Sequence, residues 1–123
     1  MPSSGTAQTI GKAAEQQALS YLAQQGLELL QCNYRCRRGE IDLIMQHQNT
    51  LVFVEVRKRG SRHFGSAQES VTAQKQQRLL YAAQHYLACH ANTANQPCRF
   101  DVIAINGKQQ EEKIQWIQNA FQA

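Results

Sequence analysis

Two stretches of the chain place apolar residues at the spacing of an α-helix. The first covers 10–25, and Gly26 follows it where a glycine commonly ends a helix. The second runs from about 71 to 90, and Lys75 lies within its apolar stripe. An ammonium there is costly unless it reaches water or meets a carboxylate. The pattern therefore predicts two amphipathic helices, and it leaves open whether Lys75 reaches water or a carboxylate.

Between and after these helices, apolar and polar residues alternate with the period of two that is typical of β-strands. In the first strand Leu30, Cys32 and Tyr34 are expected to point inwards. A further apolar segment, 114–121, fits either a short strand or a helical turn. The four predicted strands are 27–35, 40–45, 51–58 and 99–105.

The second and third predicted strands carry acidic residues within apolar surroundings. Ile41 and Leu43 are expected to share one face of the second strand, which sends Asp42 to the opposite face. Glu55 and Arg57 likewise share one face of the third strand. The two strands thus present charged side chains on faces that a hairpin would bring together.

The short link 46–50 is compatible with such a hairpin. A two-residue turn at 48–49 would set Asp42 directly opposite Glu55, and Glu40 opposite Arg57. The register of this hairpin therefore decides whether two carboxylates meet.

The chain has 123 residues, of which 42% are hydrophobic and 18% charged, a composition that favours one folded domain over a disordered or fibrous protein. We predict a disordered leader at 1–9 and a single domain at 10–123. No stretch is long and apolar enough for a membrane span, and the leader has no apolar core typical of a signal sequence. A cytoplasmic location and no membrane partner are expected.

Four cysteines, Cys32, Cys36, Cys89 and Cys98, are expected to be reduced thiols, because nothing in the sequence points to export. Cys32, Cys36 and Cys89 could together with His85 form a zinc site. Their spacing fits no common zinc module, however, so buried thiols are the favoured interpretation.

The formal charge of +4 permits nucleic-acid binding without requiring it. The basic residues are concentrated in one part of the chain, where acidic residues interrupt them. Such clusters are often ordinary solvated surface. The cluster consists of Arg35, Arg37, Arg38, Arg57, Lys58, Arg59 and Arg62.

Facing carboxylates repel each other unless a cation neutralises them. Asp42 and Glu55 would offer oxygen ligands, which suit Mg²⁺ or Mn²⁺ better than zinc. Arg57 follows Glu55 by two residues, so one strand face would carry a metal ligand and a cation for a phosphate. The alternative is an ordinary ion pair of Asp42 with Arg57 or Lys58, and geometry alone favours neither.

Two sequence runs carry a resemblance to a known family: Gly-Glu-Ile-Asp-Leu-Ile at 39–44 and Phe-Val-Glu-Val-Arg at 53–57. They resemble the PD-(D/E)xK nuclease core as it occurs in the YraN-like bacterial family, which is similar to archaeal Holliday junction resolvases. Further matching positions, among them Glu15 and Lys75, extend the resemblance over nearly the whole chain from Ile10.

This resemblance implies an α/β restriction-endonuclease-like fold, a mixed central sheet flanked by helices in the order α-β-β-β-α-β. It also implies that Asp42 and Glu55 bind Mg²⁺ or Mn²⁺, that Glu15 approaches the metal from the first helix, and that the Val56 carbonyl supplies a further oxygen. Catalytic roles are expected for Asp42, Glu55, Arg57, Lys75 and Glu15.

The sequence departs from the nuclease motif at Arg57, which stands where the motif has lysine. A guanidinium stays protonated and cannot act as a general base, although it can hold a phosphate. Lys58 would point to the opposite strand face unless a bulge intervenes. Lys75 is therefore the better surrogate for the missing lysine.

The expected function is a metal-dependent endonuclease acting on branched or structured DNA, working as a homodimer on its substrate by analogy with resolvases. DNA contacts are expected from Arg35, Arg37, Arg38, Lys58, Arg59 and Arg62. The alternatives are a non-catalytic nucleic-acid-binding module of the same fold, and an interaction scaffold that does not bind DNA.

Overall fold

A computed structural model describes residues 6–59, 71–93, 95–107 and 112–121. The helices are α1 (Thr6–Gln24) and α2 (Ala73–Cys89), and a 3-10 turn spans Ala91–Thr93. The strands are β1 (Glu28–Cys36), β2 (Gly39–His47), β3 (Thr50–Arg59), β4 (Cys98–Asn106) and β5 (Lys113–Phe121).

The five strands form one mixed sheet in the order β1-β2-β3-β4-β5. Strands β3 and β4 are parallel, which requires a crossover connection, and α2 lies in it, while the other neighbouring strands are antiparallel. The predicted α/β class and the mixed sheet flanked by helices are confirmed. The expected element order lacked one strand. The apolar segment 114–121, which fitted either a strand or a helical turn, belongs to a full edge strand, β5.

Each helix covers one face of the sheet. Ala18 and Leu22 of α1 pack with Leu43, Val54 and Ile103 in one buried cluster. The other face carries a second cluster, in which α2 packs on the sheet. Its members include Leu79, Ala82 and Tyr86 of α2 with Ile44 and Phe53 of the strands. The alternation along β3 places Glu55 and Arg57 on the same strand face as Phe53, towards α2.

The predicted hairpin register is confirmed over the paired part of β2 and β3. Its turn is Gln48 and Asn49, and the pairs run from His47–Thr50 to Leu43–Val54. Asp42 and Glu55 follow immediately after the last of these pairs. The two carboxylates therefore lie where the hairpin ladder ends.

The regular alternation predicted for β2 is wrong at Asp42. Ile41 lies in the cluster under α2, whereas Leu43 lies in the cluster under α1. On the neighbouring strand, Asn33 has a φ of +53° between two residues paired with Leu43 and Ile41. The backbone thus turns over around Asp42, and its side chain leaves the regular pleat.

Two further predictions need correction. Helix α1 begins at Thr6, inside the predicted leader, because the segment from Thr6 to Thr9 contains no glycine or proline to interrupt it. Leu30 and Cys32 are exposed because β1 is an edge strand with a register shift between Leu29 and Gln31, and only Tyr34 of the predicted inward face is buried.

Within the described ranges, no helix has the length and apolar character needed to cross a membrane.

Candidate functional site

A pocket of about 200 Å³ opens where β2 and β3 separate. It brings together α1, both hairpin strands and the first turns of α2, so the two helices meet the hairpin there. Its charged lining residues are Glu15, Glu40, Asp42, Glu55, Lys58, Lys75 and Arg78. Every carboxylate that the sequence assigned to the metal therefore lines this one pocket.

Asp42 is held by the neighbouring strand, because the backbone N–H of Val56 donates a 2.8 Å hydrogen bond to its Oδ2. Burial raises the pKa of Asp42 to about 8, and the charge of the adjacent Glu55 adds to the increase. The Val56 hydrogen bond acts in the opposite direction, while the charge of Glu15 and a hydrogen bond with Glu55 raise the pKa further. Burial and the neighbouring negative charge thus raise the pKa of Asp42 and favour its protonated form until a cation binds beside it.

Glu55 is buried, with 7% of its surface exposed, and two cations approach it. Lys75 Nζ lies 3.0 Å from Glu55 Oε2, and Arg57 Nη1 lies 3.7 Å from the same oxygen. Lys75 thus meets a carboxylate, which is one of the two outcomes expected from its position in the helical stripe, and its side chain also stays partly exposed. The Thr72 side chain caps the N-terminus of α2 and accepts a hydrogen bond from the Lys75 backbone N–H, which fixes this turn of the helix.

The alternative in which Asp42 pairs with Arg57 or Lys58 is wrong for the described residues. Arg57 turns to Glu55, and Lys58 turns to Glu112, whose other carboxylate oxygen accepts a hydrogen bond from Gln17 Nε2. Hydrogen bonds from Lys58 and Gln17 lower the pKa of Glu112. Because Gln17 belongs to α1, Lys58 lies on the side of the sheet opposite to Arg57, as regular alternation predicted.

Arg57 has an unsatisfied donor beside the pocket. Its Nε is buried and has no hydrogen-bond partner in the described part of the chain. A buried donor without a partner costs roughly 1–3 kcal/mol. An anion bound at this point would remove that cost.

The pocket fits a divalent cation of the Mg²⁺ type by its donor chemistry. Mg²⁺ is commonly held by one or two carboxylates, with water and substrate phosphates completing its shell, and Asp42 and Glu55 supply two. No set of three His, Cys, Asp or Glu side chains within the described ranges comes close enough to hold a metal. Glu15 thus acts on Asp42 through its charge from the pocket wall, and its predicted role as a ligand remains a prediction, as does that of the Val56 carbonyl.

The same search finds no cluster for the zinc alternative among the described residues. His85 instead lies 2.5 Å from the Tyr34 hydroxyl. The expectation of buried thiols was wrong, because three cysteines are exposed and Cys36 is half-buried. All four are free thiols, as predicted.

The predicted DNA-binding residues are distributed around the β1–β2 turn and the end of β3. Arg35 forms an exposed 3.4 Å ion pair with Glu40, and Arg37 is exposed. The guanidinium of Arg38 lies over the ring of Tyr81, 4.1 Å from its centroid. The side chain of Arg59 and all of Arg62 lie outside the described residues, as does the predicted polar loop 60–69.

Sequence reasoning missed two residues of this region. One is Arg78, which lines the pocket. The sequence pattern that could have identified it is its position three residues after Lys75, on the same side of α2. Gly39 lies directly under α2, where an added Cβ would stand 1.9 Å from the carbonyl oxygen of Arg78. Only glycine allows α2 to approach β2 this closely.

Sequence reasoning also missed a second buried carboxylate, Asp101, on β4. It accepts hydrogen bonds from Arg99 Nε at 3.0 Å, from Trp116 Nε1 at 3.0 Å and from the Asn119 backbone at 2.9 Å. Arg99 also contacts His47. These partners satisfy the carboxylate and join β5 to β4, so we assign Asp101 a structural role.

Comparison with known proteins gives a consistent result. The sequence model described as "Uncharacterised protein family UPF0102" matches residues 14–105. A UPF0102 protein of Nitrosomonas europaea is 56% identical over 111 residues, which cover 90% of this chain and 92% of that protein. UPF0102 proteins of Pseudomonas fluorescens and Saccharophagus degradans are 50% and 56% identical, and in each case the match covers 90% of this chain and 91% of the relative.

Proposed function

This chain belongs to the uncharacterised protein family UPF0102, and from its pocket we propose that it is a metal-dependent DNA endonuclease. We propose further that its fold is restriction-endonuclease-like and that its substrate is branched or otherwise structured DNA. The observation that carries this proposal is the juxtaposition of Asp42 and Glu55 at the end of the hairpin, with Lys75 and Arg57 beside them.

Asp42 and Glu55 are the residues that would hold Mg²⁺ or Mn²⁺. When bound, the cation would lower the pKa of a coordinated water and offset negative charge on the phosphate. The protein prepares Asp42 for this role by fixing one oxygen with the Val56 N–H, which limits the rotation of the carboxyl group. Glu15 adds negative charge to the pocket from α1 and so increases its attraction for a cation.

Arg57 and Lys75 are the residues that would bind the scissile phosphate. The unpartnered Nε of Arg57 is a ready donor for a phosphate oxygen, and its fixed charge suits this role. Lys75 now neutralises Glu55, and its side chain is 44% exposed. A cation held by Glu55 would take over that neutralisation, which frees Lys75 to face the phosphate.

A second function, a DNA-binding module without turnover, is favoured by two observations. Arg57 replaces the lysine of the nuclease motif and cannot act as a general base. The described residues also assemble no three-ligand group. Both functions predict DNA binding that weakens steeply with salt, so only turnover separates them.

The test is cleavage of labelled duplex, single-stranded, flapped and four-way-junction DNA with Mg²⁺, Mn²⁺ or EDTA, with binding to the same DNA measured in parallel. The proposal predicts metal-dependent cleavage and a preference among the structured substrates. Binding without cleavage under any metal would support the module instead. Negligible binding at low salt would exclude both functions and leave an interaction scaffold.

The resolvase analogy also predicts a homodimer on DNA, because two strands must be cut about a two-fold axis. Light scattering of the complex with a four-way junction measures this directly. A single copy per junction would contradict the analogy but not the nuclease.

A further inference from the structure

Beyond the pocket, one side of α2 carries a continuous row of positive charge. Arg78 follows Lys75 by one helical turn and reaches the pocket wall. Its side chain is exposed, and it forms no ion pair with any described residue. Its backbone, by contrast, is fixed, because α2 rests on Gly39 at this residue. Arg78 is thus a free cation on a rigidly placed helix.

At the next turn of α2, a cationic side chain from another part of the chain lies against the helix. Tyr81 lies three residues after Arg78, and its ring lies beneath the guanidinium of Arg38 from the β1–β2 turn. Such cation–π contacts contribute about 0.5–1 kcal/mol at exposed sites. The contact holds Arg38 over α2, although Arg38 belongs to a surface turn.

Lys75, Arg78 and Arg38 on Tyr81 together form what we call the α2 basic row. Adjacent positions in it are about 4.5 Å apart along the helix axis, so the row covers about 9 Å from the pocket outwards. Long side chains spread over this distance can reach neighbouring phosphates of one DNA strand. Of the acidic side chains beside the row, Glu55 pairs with Lys75, and Glu40 pairs with Arg35 outside the row.

We infer that the α2 basic row binds the phosphate backbone of the DNA strand that enters the pocket. Lys75 would contact the phosphate at the pocket, and Arg78 and Arg38 the phosphates next to it on one side. This inference rests on the proposed DNA-directed function and adds its strand path. It assigns DNA binding to Arg78. Tyr81 would act indirectly, because its ring holds Arg38 in position to contact a phosphate.

The test measures binding of labelled four-way-junction DNA in EDTA, at several salt concentrations, for wild type, Arg78→Ala, Arg38→Ala, Tyr81→Leu and Arg38→Ala/Tyr81→Leu. Lys113→Ala is the matched control, because it removes one exposed charge on edge strand β5, three strands away from β2. We expect Arg78→Ala to weaken binding about tenfold and to reduce the salt slope by about one. Lys113→Ala should change neither.

Tyr81→Leu should weaken binding only through Arg38. Its effect should therefore disappear in the Arg38→Ala background, as a double-mutant cycle would show. Equal and additive losses for the two changes would contradict the supporting role of Tyr81.

Cleavage of the same DNA with Mn²⁺ separates failure of this inference from failure of the proposed function. If wild type cleaves but Arg78→Ala binds as well as Lys113→Ala, the strand path is wrong and the nuclease remains. If no variant cleaves but Arg78→Ala and Arg38→Ala weaken binding while Lys113→Ala does not, the row is correct and the nuclease is wrong. If wild type does not bind DNA at all, both are wrong.

Discussion

The backbone N–H of Val56 donates a 2.8 Å hydrogen bond to Asp42 Oδ2, so strand β3 fixes the carboxyl group of strand β2. The bond forms just beyond the last backbone pair of the hairpin, Leu43–Val54. A side chain there takes over the role that a backbone carbonyl plays in the regular ladder. The hairpin thus ends by orienting a carboxylate towards Glu55, and this arrangement leads to specific predictions.

The first prediction concerns the stability of the metal-free protein as a function of pH. The pKa of Asp42 is raised to about 8 in the folded protein, above the ordinary value of about 3.9 for an unfolded chain. The folded state therefore binds the proton more tightly, and the stabilising contribution of the protonated group is lost as the pH rises from about 4 to about 8. The free energy of unfolding should fall by at most about 1.4 kcal/mol per pH unit from this group.

Urea unfolding in EDTA at about pH 5 and about pH 8 measures this effect. Asp42→Asn is the comparison, because the amide oxygen can still accept the Val56 hydrogen bond but does not titrate. Its stability should exceed that of wild type more at the higher pH. Parallel pH profiles for the two proteins would show that Asp42 has no raised pKa.

The second prediction concerns metal binding. The raised pKa of Asp42 means that a divalent cation competes with a proton for this carboxyl group, so the metal affinity should increase with pH. Mn²⁺ at about 100 times its dissociation constant should stabilise the protein by about 2.7 kcal/mol. The thermal midpoint should rise accordingly in wild type but not in Asp42→Asn or Glu55→Gln. An equal increase in Asp42→Asn would place the metal elsewhere.

The third prediction separates Lys75 from Arg57. If Lys75 is the surrogate for the motif lysine, Lys75→Ala should lower the cleavage rate at least about a hundredfold. Lys75→Arg, which keeps the charge that neutralises Glu55, controls for loss of the ion pair, and urea unfolding checks the fold of each variant. Unchanged cleavage by Lys75→Ala together with abolished cleavage by Arg57→Ala would show that the surrogate assignment is wrong.

The fourth prediction concerns the close approach of α2 to β2. A methyl group at Gly39 would collide with the backbone carbonyl of Arg78, which cannot rotate away. Gly39→Ala should therefore destabilise the protein by about 3 kcal/mol and shift α2. Gly26→Ala is a matched control, because its φ of +97° is strained for alanine but nothing lies within 4 Å of the new methyl group; its cost should be about 1 kcal/mol.

A second readout keeps this prediction specific. Any shift of α2 moves Lys75 and Arg78 away from the pocket, so Gly39→Ala should also lose DNA binding at temperatures where it remains folded. Gly26→Ala should keep it. Equal stability losses in the two variants, with DNA binding intact in both, would show that the glycine contact does not position α2.

The hairpin shows what local sequence patterns can predict. A two-residue turn fixes the register of both strands, and alternation then decides which side chains share a face. These rules predicted the register that carries Asp42 to Glu55 and placed Arg57 and Lys58 on opposite faces. The apolar stripe of α2 similarly indicated that Lys75 needs either water or a carboxylate, without deciding between them.

The errors arise where tertiary contacts override local periodicity. The backbone turns over at Asp42 and beside it at Asn33, and alternation cannot reveal such a break. Cys32 is exposed because β1 lies at the sheet edge, which depends on the order of all five strands. Gly39 and Arg78 gain their importance from the contact between α2 and β2, and no spacing within either segment encodes it.

The central claim, that Asp42 and Glu55 hold a metal needed for DNA cleavage, is tested most directly by the Mn²⁺-dependent cleavage rate on the preferred structured DNA. Wild type is compared with the site variants Asp42→Asn and Glu55→Gln. The control is Glu28→Gln, which changes an exposed carboxylate at the start of edge strand β1. We predict cleavage by wild type and Glu28→Gln, and loss of at least about a hundredfold in both site variants. Cleavage by Asp42→Asn or Glu55→Gln at the wild-type rate, or no cleavage by wild type, would contradict the claim.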